Sequence, residues 1–398
     1  GGAMFTEPAV EVLRGHGGLG SRLLGRWKSR VRGLPEFGGE LPVAALAEEM
    51  DTPGEGQVHA LVTHGGNPVL STPNGARLDT ALAKLDFFVA IDFYVNATTR
   101  HAHVMLPPTG PLERDHYDIV FHALATRNTA KYSPPMVRRP AHARHDWEIF
   151  SALTKRMSRG GIADKLKIAA SLRLGARGLL DLGLRFGPYG SGVNPLKRGL
   201  SVARLRRTPH GEDLGALKPV FPNRLRTEDR TIHLAPQPML DDVVRLIARS
   251  ARTRSDAATS TPNDETLALI GRRDLRSNNS WMHNSERLVK GKNRCTLIMH
   301  PADAEARGIA SGSHVRVRSR TGEVNVAADV SDDIMRGVVS LPHGWGHGKP
   351  GVRMAVASRH AGVSINDLTD ELRLDELSGN AAFSGVAVTV ELSSGATT

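Results

Sequence analysis

Residues 58–72 of the chain read VHALVTHGGNPVLST, an apolar run that ends in a Gly-Gly-Asn-Pro turn. The run at 58–62 predicts a short buried strand, and apolar residues at helical spacing predict a helix over 76–85. Two further apolar stretches, 87–91 and 103–106, predict strands. Strand, loop, helix and strand form the βαβ pattern with its right-handed crossover. We therefore predict a Rossmann-like α/β region that starts near residue 56.

From residue 263 onward the sequence pattern changes to that of a β domain. Residues 314–320 alternate, with Val315 and Val317 on one side and Arg316 and Arg318 on the other. The alternation resumes at Val324 after a Thr-Gly turn, which predicts a hairpin. The other elements predicted here are a helix over 301–307 and strands at 338–341 and 386–390. The expected fold class is α/β followed by mixed β, in which the second part is a small barrel with helical insertions.

Changes in composition divide the chain into four parts. Residues 1–55 are interpreted as the remnant of a preceding domain, and residues 56–250 as the α/β region with a helical and irregular extension. The small, polar stretch 251–262 is predicted to be a surface loop, and 263–398 the barrel. Because the chain starts at Gly1 without a methionine, we interpret it as a fragment, a processed chain or half of a split protein.

Composition bounds the kind of partner and site. The formal net charge of +11 suits an anionic partner, such as nucleic acid, acidic lipid or a polyphosphate ligand, although most basic residues are interpreted as solvated surface. The single cysteine, Cys295, excludes an intrachain disulfide and a Cys-rich metal or iron–sulfur site, and its apolar context predicts a buried thiol. No stretch has the length and apolarity of a membrane span, and a cytoplasmic location is predicted.

The first candidate binding loop is the turn at Gly65, Gly66, Asn67 and Pro68. It follows a predicted strand, and ligands of open α/β sheets bind at the carboxyl ends of strands. Two glycines let the backbone approach a phosphate, a following helix N-terminus favours negative charge, and the Asn67 amide suits a sugar or base. Asp92, at the end of the next strand, suits a ribose hydroxyl or a guanine N–H edge. The alternatives are a plain turn and an aspartate that caps one.

The second candidate is the stretch RSNNSWMHN at 276–284. Besides Arg276, six of its nine side chains are polar and can form hydrogen bonds, which suits a polar heterocycle with a phosphate, and Trp281 suits packing on a ring face. An Asn/Ser-rich surface loop is the alternative.

The third candidate is the stretch LPHGWGHG at 341–348. His343 and His347 have the i, i+4 spacing of a helical zinc site, but the surrounding Gly and Pro residues argue against a helix there. We therefore predict an aromatic loop over a ligand and no metal site.

Taken together, these stretches resemble the dimethyl-sulfoxide-reductase family of molybdopterin oxidoreductases, which includes formate dehydrogenases and nitrate reductases. The segments that carry the resemblance, in order, are GGAMFTEP at 1–8, residues 54–72, residues 87–108, RSNNSWMHN, residues 301–319, HGWG at 343–346 and residues 364–390.

The resemblance implies a four-domain enzyme that holds two molybdopterin guanine dinucleotides around one molybdenum or tungsten. This chain would be the later part of the α/β region, with a remnant of a cofactor-binding domain before it and a six-stranded double-psi-like barrel after it. The cofactor contacts implied by the resemblance are Gly65, Gly66, Asn67, Pro68, Asp92, Arg276, Ser277, Asn278, Asn279, Ser280, Trp281, His283, His343, Gly344, Trp345 and Asn366.

The stretches for the family's iron–sulfur cluster and for its molybdenum ligand are absent from this sequence. The resemblance therefore implies that both lie in a missing N-terminal half or a partner chain, with a possible further electron-transfer subunit. The leading hypothesis is the cofactor-binding part of a molybdenum oxidoreductase. A second hypothesis is a non-catalytic cofactor-binding or assembly module. A third, a nucleic-acid-binding protein, is disfavoured because the basic clusters contain almost no aromatic residues.

Overall fold

The computed structural model describes residues 6–10, 24–194, 198–223, 225, 227–259 and 266–393. The chain divides into two compact units. One comprises Gly1–Gly20 with Pro107–Leu234, and the other comprises Ser21–Leu106 with Ala235–Thr398. This division groups residues 24–55 with the βαβ segment, whereas the boundaries predicted at 55 and 250 followed composition.

A three-stranded parallel sheet forms the first half of the second unit. Its strands pair in the order β3-β4-β5, with Ala60 opposite Phe87 and Val89 opposite Val104. Helices cover one face of this sheet, where Leu70, Leu78, Leu82 and Phe88 are almost fully buried. The elements of this half are β1 Leu24–Lys28, β2 Pro35–Phe37, α1 Leu46–Asp51, β3 Ala60–His64, α2 Pro68–Ser71, α3 Gly75–Leu82, β4 Phe87–Ile91 and β5 Val104–Met105. The predicted βαβ arrangement is confirmed, with the first strand placed two residues later than expected.

The other unit contains two small antiparallel pairs, β6 with β8 and β7 with β9, and the two longest helices of residues 107–234. Its core contains Tyr132, Leu184, Leu200 and Leu205. The elements are β6 His116–Tyr117, β7 Asn128–Ala130, β8 Tyr132–Ser133, α4 Asp146–Met157, α5 Ile162–Phe186, α6 Val202–Leu205 and β9 Glu212–Gly215. At the start of α4, His145 N donates to Glu148 Oε2 at 2.8 Å, which is one half of a capping box.

A closed six-stranded barrel forms the rest of the second unit, with strand order β10-β14-β11-β13-β12-β15. Its interior is apolar and includes Leu269, Leu297, Val315, Val317 and Val339, each fully buried. The elements are α7 Gln237–Thr259, β10 Thr266–Arg272, α8 Glu286–Val289, β11 Thr296–Met299, α9 Pro301–Glu305, β12 His314–Arg318, β13 Glu323–Val330, β14 Val338–Pro342, α10 Ala355–Arg359 and β15 Val386–Leu392. The predicted mixed barrel is confirmed, including its hairpin of β12 and β13.

The surface loop predicted at 251–262 is wrong as far as Thr259, because α7 continues to that residue. The stretch is rich in Ala and Arg, which favour helix, and has no Gly or Pro before Pro262. Residues 260–262 lie outside the described residues. Within the described part of the chain, no helix has the length and apolarity needed to cross a membrane.

Candidate functional site

A cavity of about 440 Å³ opens in the second unit, between the turn after β3 and one end of the barrel. The lining comes from three predicted loops and from their neighbours. The residues that line it are Gly65, Gly66, Asn67, Leu70, Ser71, Gly271, Arg273, Asn279, Ser280, Trp281, His343, Gly344, Ile365, Asn366, Phe383 and Ser384. The α/β and barrel candidates, more than 200 residues apart in sequence, therefore share one cavity.

Bare backbone forms the α/β wall of this cavity at Gly65 and Gly66. Gly65 has φ +58°, and a Cβ placed there would meet no atom within 4 Å. The turn is held in place because Asn67 Oδ1 accepts a hydrogen bond from Thr98 Oγ1 at 2.7 Å and Gly65 N donates to the Ile91 carbonyl at 3.0 Å. Pro68 lies behind the wall and begins α2, which has only four residues. The expected contribution of a long helix N-terminus is therefore not available here.

Asp92 lies in a side chamber of about 40 Å³ that shares Gly65, Gly66 and Trp281 with the main cavity. The Asp92 carboxylate is 5% exposed and accepts hydrogen bonds from Tyr94 N at 3.1 Å and Asn96 Nδ2 at 3.4 Å. Burial raises the pKa of Asp92. The carboxylate thus both caps a turn and faces the chamber, so the two interpretations of this residue are compatible.

The stretch 276–284 supplies Asn279, Ser280 and Trp281 to the cavity wall. Asn279 has φ +60°, which turns the chain sharply, and its Oδ1 accepts a hydrogen bond from Arg273 at 2.6 Å. Trp281 is half exposed, so one face of its indole remains available to a ligand. Arg276 and Asn278 are exposed on the same stretch and do not line the cavity.

The glycine-rich loop at 343–348 closes the barrel side of the cavity at Gly344. The backbone of this loop passes so close to the preceding wall that a Cβ on Gly344 would lie 1.9 Å from the Asn279 carbonyl oxygen. His343, the next residue in the wall, donates its backbone N–H to the Arg272 carbonyl at 3.0 Å. Burial lowers the pKa of His343, so its imidazole is neutral at pH 7 and adds no charge to the cavity.

Four of the predicted or neighbouring residues lie behind the wall rather than in it. His283 stacks on Trp345 with ring centroids 4.0 Å apart, and both are buried. His283 Nδ1 lies 2.8 Å from His347 Nε2, and its Nε2 lies 2.7 Å from Ser277 Oγ. Burial lowers the pKa of both imidazoles to about 4. These residues support the loops from beneath.

The predicted absence of a metal site was an expectation from loop chemistry. Among the described residues, no group of three or more His, Cys, Asp or Glu side chains has the arrangement of a metal site. Cys295 is buried beside Trp345 and Val289, as its apolar context predicts.

Asn366 joins the two halves of this unit at the cavity floor. Its Nδ2 donates to the Leu70 carbonyl at 2.8 Å, and its Oδ1 accepts from Thr369 Oγ1 at 3.0 Å. Because both ends of the amide are engaged, Asn366 positions the α/β turn against the barrel as well as lining the cavity.

Several lining residues were missed by the sequence reasoning. Arg273 directly follows β10, so its position at the end of a barrel strand was a usable signal. Phe383 and Ser384 precede β15 in a stretch without a motif, and no sequence signal identifies them. The other lining residues without a prediction are Leu70, Ser71, Gly271, Ile365, Tyr94, Asn96 and Met354.

The chemistry of the cavity is that of a binding site for a polar, flat ligand. Its main chamber is lined by amides, hydroxyls and bare backbone, with Arg273 as the one ionised side chain of that lining. Trp281 and Phe383 provide aromatic faces. The lining therefore suits recognition and positioning of a ligand with ring and phosphate parts.

Two family models match the chain. One, described as "Molybdopterin oxidoreductase", matches residues 12–156, and the other, described as "Molydopterin dinucleotide binding domain", matches residues 267–387. Together they span the cavity loops of both the α/β part and the barrel.

Curated relatives are similar over most of this chain. The dimethyl sulfoxide/trimethylamine N-oxide reductase of Rhodobacter capsulatus is 24% identical, over 76% of this chain and 39% of the relative. The assimilatory nitrate reductase catalytic subunit of Bacillus subtilis is 25% identical, over 77% of this chain and 40% of the relative. The F420-dependent formate dehydrogenase subunit alpha of Methanocaldococcus jannaschii is 24% identical, over 82% of this chain and 43% of the relative. The chain spans about two fifths of the length of these relatives.

Among solved structures, acetylene hydratase from Pelobacter acetylenicus has a similar fold. Its TM-score is 0.63 at 15% sequence identity, and the match covers 90% of this chain and 47% of that chain. At this identity the likeness concerns the fold.

Proposed function

Because this chain belongs to the molybdopterin oxidoreductase family, we propose that it is the cofactor-binding C-terminal part of a molybdenum-dependent oxidoreductase. The observation that carries the proposal is that the Gly65–Asn67 turn and the barrel loops around Trp281 and Gly344 line one cavity. The proposed ligand is a molybdopterin dinucleotide with guanine as its base. The comparisons give no support to a nucleic-acid-binding or non-catalytic function.

The residues of the cavity fit such a group. The Gly65 backbone has open space where a side chain would stand, which leaves room for a phosphate. Amides and hydroxyls of Asn67, Asn279 and Ser280 supply neutral hydrogen bonds, and Arg273 supplies one positive charge. The chemistry that this cofactor supplies when bound is oxygen-atom transfer or hydride and electron transfer at the metal.

Each part of the lining has a proposed task in binding. The Asp92 carboxylate accepts hydrogen bonds from a guanine N–H edge in the side chamber, where Asn96 already holds one of its oxygens. Trp281 packs on a ring face. Arg273, fixed by its bond to Asn279, offsets phosphate charge. The buried rings of His283 and Trp345 keep the loops in place.

Other parts of the proposed enzyme are assigned outside this chain. We propose that the metal's protein ligand and any iron–sulfur cluster belong to a polypeptide that supplies the rest of the relatives' length, as a preceding half or a separate chain. The similarity to a formate dehydrogenase "subunit alpha" supports a further electron-transfer subunit. A cytoplasmic location stays a prediction from the sequence.

The test is analysis of metal and nucleotide in protein purified from a host that makes the cofactor, together with the completing polypeptide. Molybdenum or tungsten is measured by mass spectrometry, and GMP released by acid hydrolysis is quantified. We expect both in near-stoichiometric amounts. Absence of both from the folded, assembled protein would refute the proposal.

A matched pair of variants locates the ligand in the cavity. Trp281→Ala removes an aromatic face from the lining, whereas Trp27→Ala removes a tryptophan of similar exposure from β1. We expect GMP content to fall several-fold in the first variant and to stay unchanged in the second. Equal retention in both variants would place the nucleotide elsewhere.

A further inference from the structure

A second cavity, of about 520 Å³, lies in the other compact unit, where α5 is interrupted. Four arginines line it: Arg173, Arg177 and Arg185 from α5, and Arg206 from just after α6. Two carboxylates, Asp115 and Asp181, line it as well. The lining therefore carries an excess of two positive charges.

The two carboxylates are already engaged by two of the arginines. Arg177 Nε donates to Asp115 Oδ2 at 2.9 Å, and Arg185 Nε donates to Asp181 Oδ2 at 2.6 Å. Asp115 also accepts from the Tyr132 hydroxyl at 2.6 Å, and Asp181 accepts from Val202 N at 2.8 Å. Burial alone would raise the pKa of Asp115, but these hydrogen bonds lower it, so the carboxylate is ionised.

Arg173 and Arg206 have no such partner. Among the described residues, neither guanidinium is within bonding distance of a carboxylate. Both side chains are exposed, so their fork of N–H donors is available to a ligand in the cavity. An unpaired pair of guanidinium groups in a concave site favours a dianionic group such as a phosphate.

The backbone adds to this preference at the break in α5. Gly175 has φ +64° and ψ 178°, so the helix stops and resumes at 176–186. The first N–H groups of the resumed helix lack acceptors within the helix, and the positive end of its dipole lies at the cavity. A side chain at Gly175 would be strained, because φ is +64° and a Cβ would lie 3.1 Å from Trp147 Cη2.

An aromatic wall accompanies the positive charge. Trp147 and His145 line this cavity and also an adjoining chamber of about 370 Å³, which contains Tyr117 and Tyr132. The Trp147 and His145 rings are stacked at 6.4 Å, with 22° between their planes. The adjoining chamber therefore has room for a ring beside the arginines.

We propose that this cavity binds a phosphorylated ligand that bears an aromatic ring, with the phosphates on Arg173 and Arg206 and the ring beside Trp147. The site is separate from the cofactor cavity and holds independently of the function proposed for that cavity. Its ligand class is that of a nucleoside diphosphate.

The test is calorimetric titration of the purified chain with ADP, pyrophosphate and adenosine. We expect ADP to bind more tightly than pyrophosphate and adenosine to show no measurable binding. The double variant Arg173→Ala/Arg206→Ala should weaken ADP binding by about a hundredfold, because each of the two lost charged hydrogen bonds costs about tenfold. Both side chains are exposed and unpaired, so its melting temperature should match that of the unmodified protein.

Two controls separate this site from other sources of binding. Arg159→Ala/Arg207→Ala removes the same charge from exposed positions outside the cavity lining and should leave ADP affinity unchanged. Trp281→Ala, in the other cavity, should also leave it unchanged. No ADP binding at millimolar concentration would overturn the proposal, as would equal losses in both arginine double variants or a loss in Trp281→Ala.

Discussion

At Gly344 the two barrel loops of the cofactor cavity approach so closely that only a hydrogen atom fits between them. A Cβ there would lie 1.9 Å from the Asn279 carbonyl oxygen, and φ is +92°. We expect Gly344→Ala to lower the free energy of unfolding by about 2–3 kcal/mol. Gly271, which lines the same cavity, is the matched control, because a Cβ there meets only Ile365 at 3.7 Å. Gly271→Ala should change stability by less than about 1 kcal/mol in urea unfolding, and equal losses would show that the close approach is not formed.

The buried pair of His283 and His347 makes stability depend on pH. The pKa of each is lowered to about 4 by burial, and each imidazole in the unfolded chain has a pKa near the ordinary 6.5. Between these values the unfolded state binds more protons than the folded state. Stability is therefore full above pH 6.5 and falls on acidification, by about 2 kcal/mol for each histidine at pH 5. Urea unfolding at pH 7, 6 and 5 measures this slope.

The double variant His283→Gln/His347→Gln isolates this contribution. It should flatten most of the pH dependence of stability between pH 7 and 5. A smaller dependence should remain from His122 and His343, whose pKa values burial also lowers. His142→Gln, at an exposed position, should keep the full slope. An unaltered slope in the double variant would mean that the buried pair does not titrate as argued.

Sequence reasoning found the loops of the site but not the direction of each side chain. Trp281 lies in an Asn- and Ser-rich stretch and Trp345 in a Gly-rich one. Both stretches were predicted as binding loops, yet Trp281 lines the cavity and Trp345 is buried beneath it. His283 has the same ambiguity, because its partner His347 is 64 positions away and only the folded barrel brings them together. Motifs indicate which backbone segments approach a ligand, whereas the orientation of a side chain is set by tertiary packing.

At the level of elements, periodicity predicted those strands and turns that are set by interactions between residues close in sequence. The hairpin of β12 and β13 followed from the alternation of apolar and charged residues and from a tight turn. Helix α7 was mistaken for a loop in its last turns because Ser and Thr outweighed Ala and Arg in the interpretation. The barrel's strand order was not predictable from these patterns, since β10 pairs with β14 and β15, each far along the chain.

Alternation in β12 leads to a test with two adjacent residues. Val317 is fully buried in the barrel core, whereas Arg318 is exposed and paired with Glu323 on the surface. We expect Val317→Ala to cost roughly 2 kcal/mol of stability through lost burial and a cavity. Arg318→Ala should cost no more than about 0.5 kcal/mol, because exposed ion pairs contribute little. Equal effects in denaturant unfolding would contradict the assigned faces.

At the scale of the whole molecule, the sheet β3-β4-β5 presents a partly exposed apolar face, with Val89 buried at its centre. Leu61, Phe88 and Met105 pack on the helices of the core. Because side chains alternate along a strand, the residue next to each of them points to the opposite face of the sheet. There Val62, Phe87 and Val104 are 51%, 48% and 38% exposed. Parallel sheets are ordinarily covered on both faces. Under the function proposed above, for a chain that spans about two fifths of its relatives' length, we expect the proposed completing polypeptide to cover this face.

Charges placed on this face should separate assembly from folding. Val62→Lys/Val104→Lys should change the melting temperature of this chain by no more than a few degrees, because both side chains are exposed. The same variant should abolish co-purification with the co-expressed completing polypeptide, because two lysines would be buried unpaired at the interface. Val193→Lys/Met335→Lys adds the same charge at exposed apolar positions elsewhere and should leave co-purification intact. If the first variant still assembles as the unmodified chain does, another surface of this chain contacts the proposed polypeptide, and this face of the sheet is not the interface.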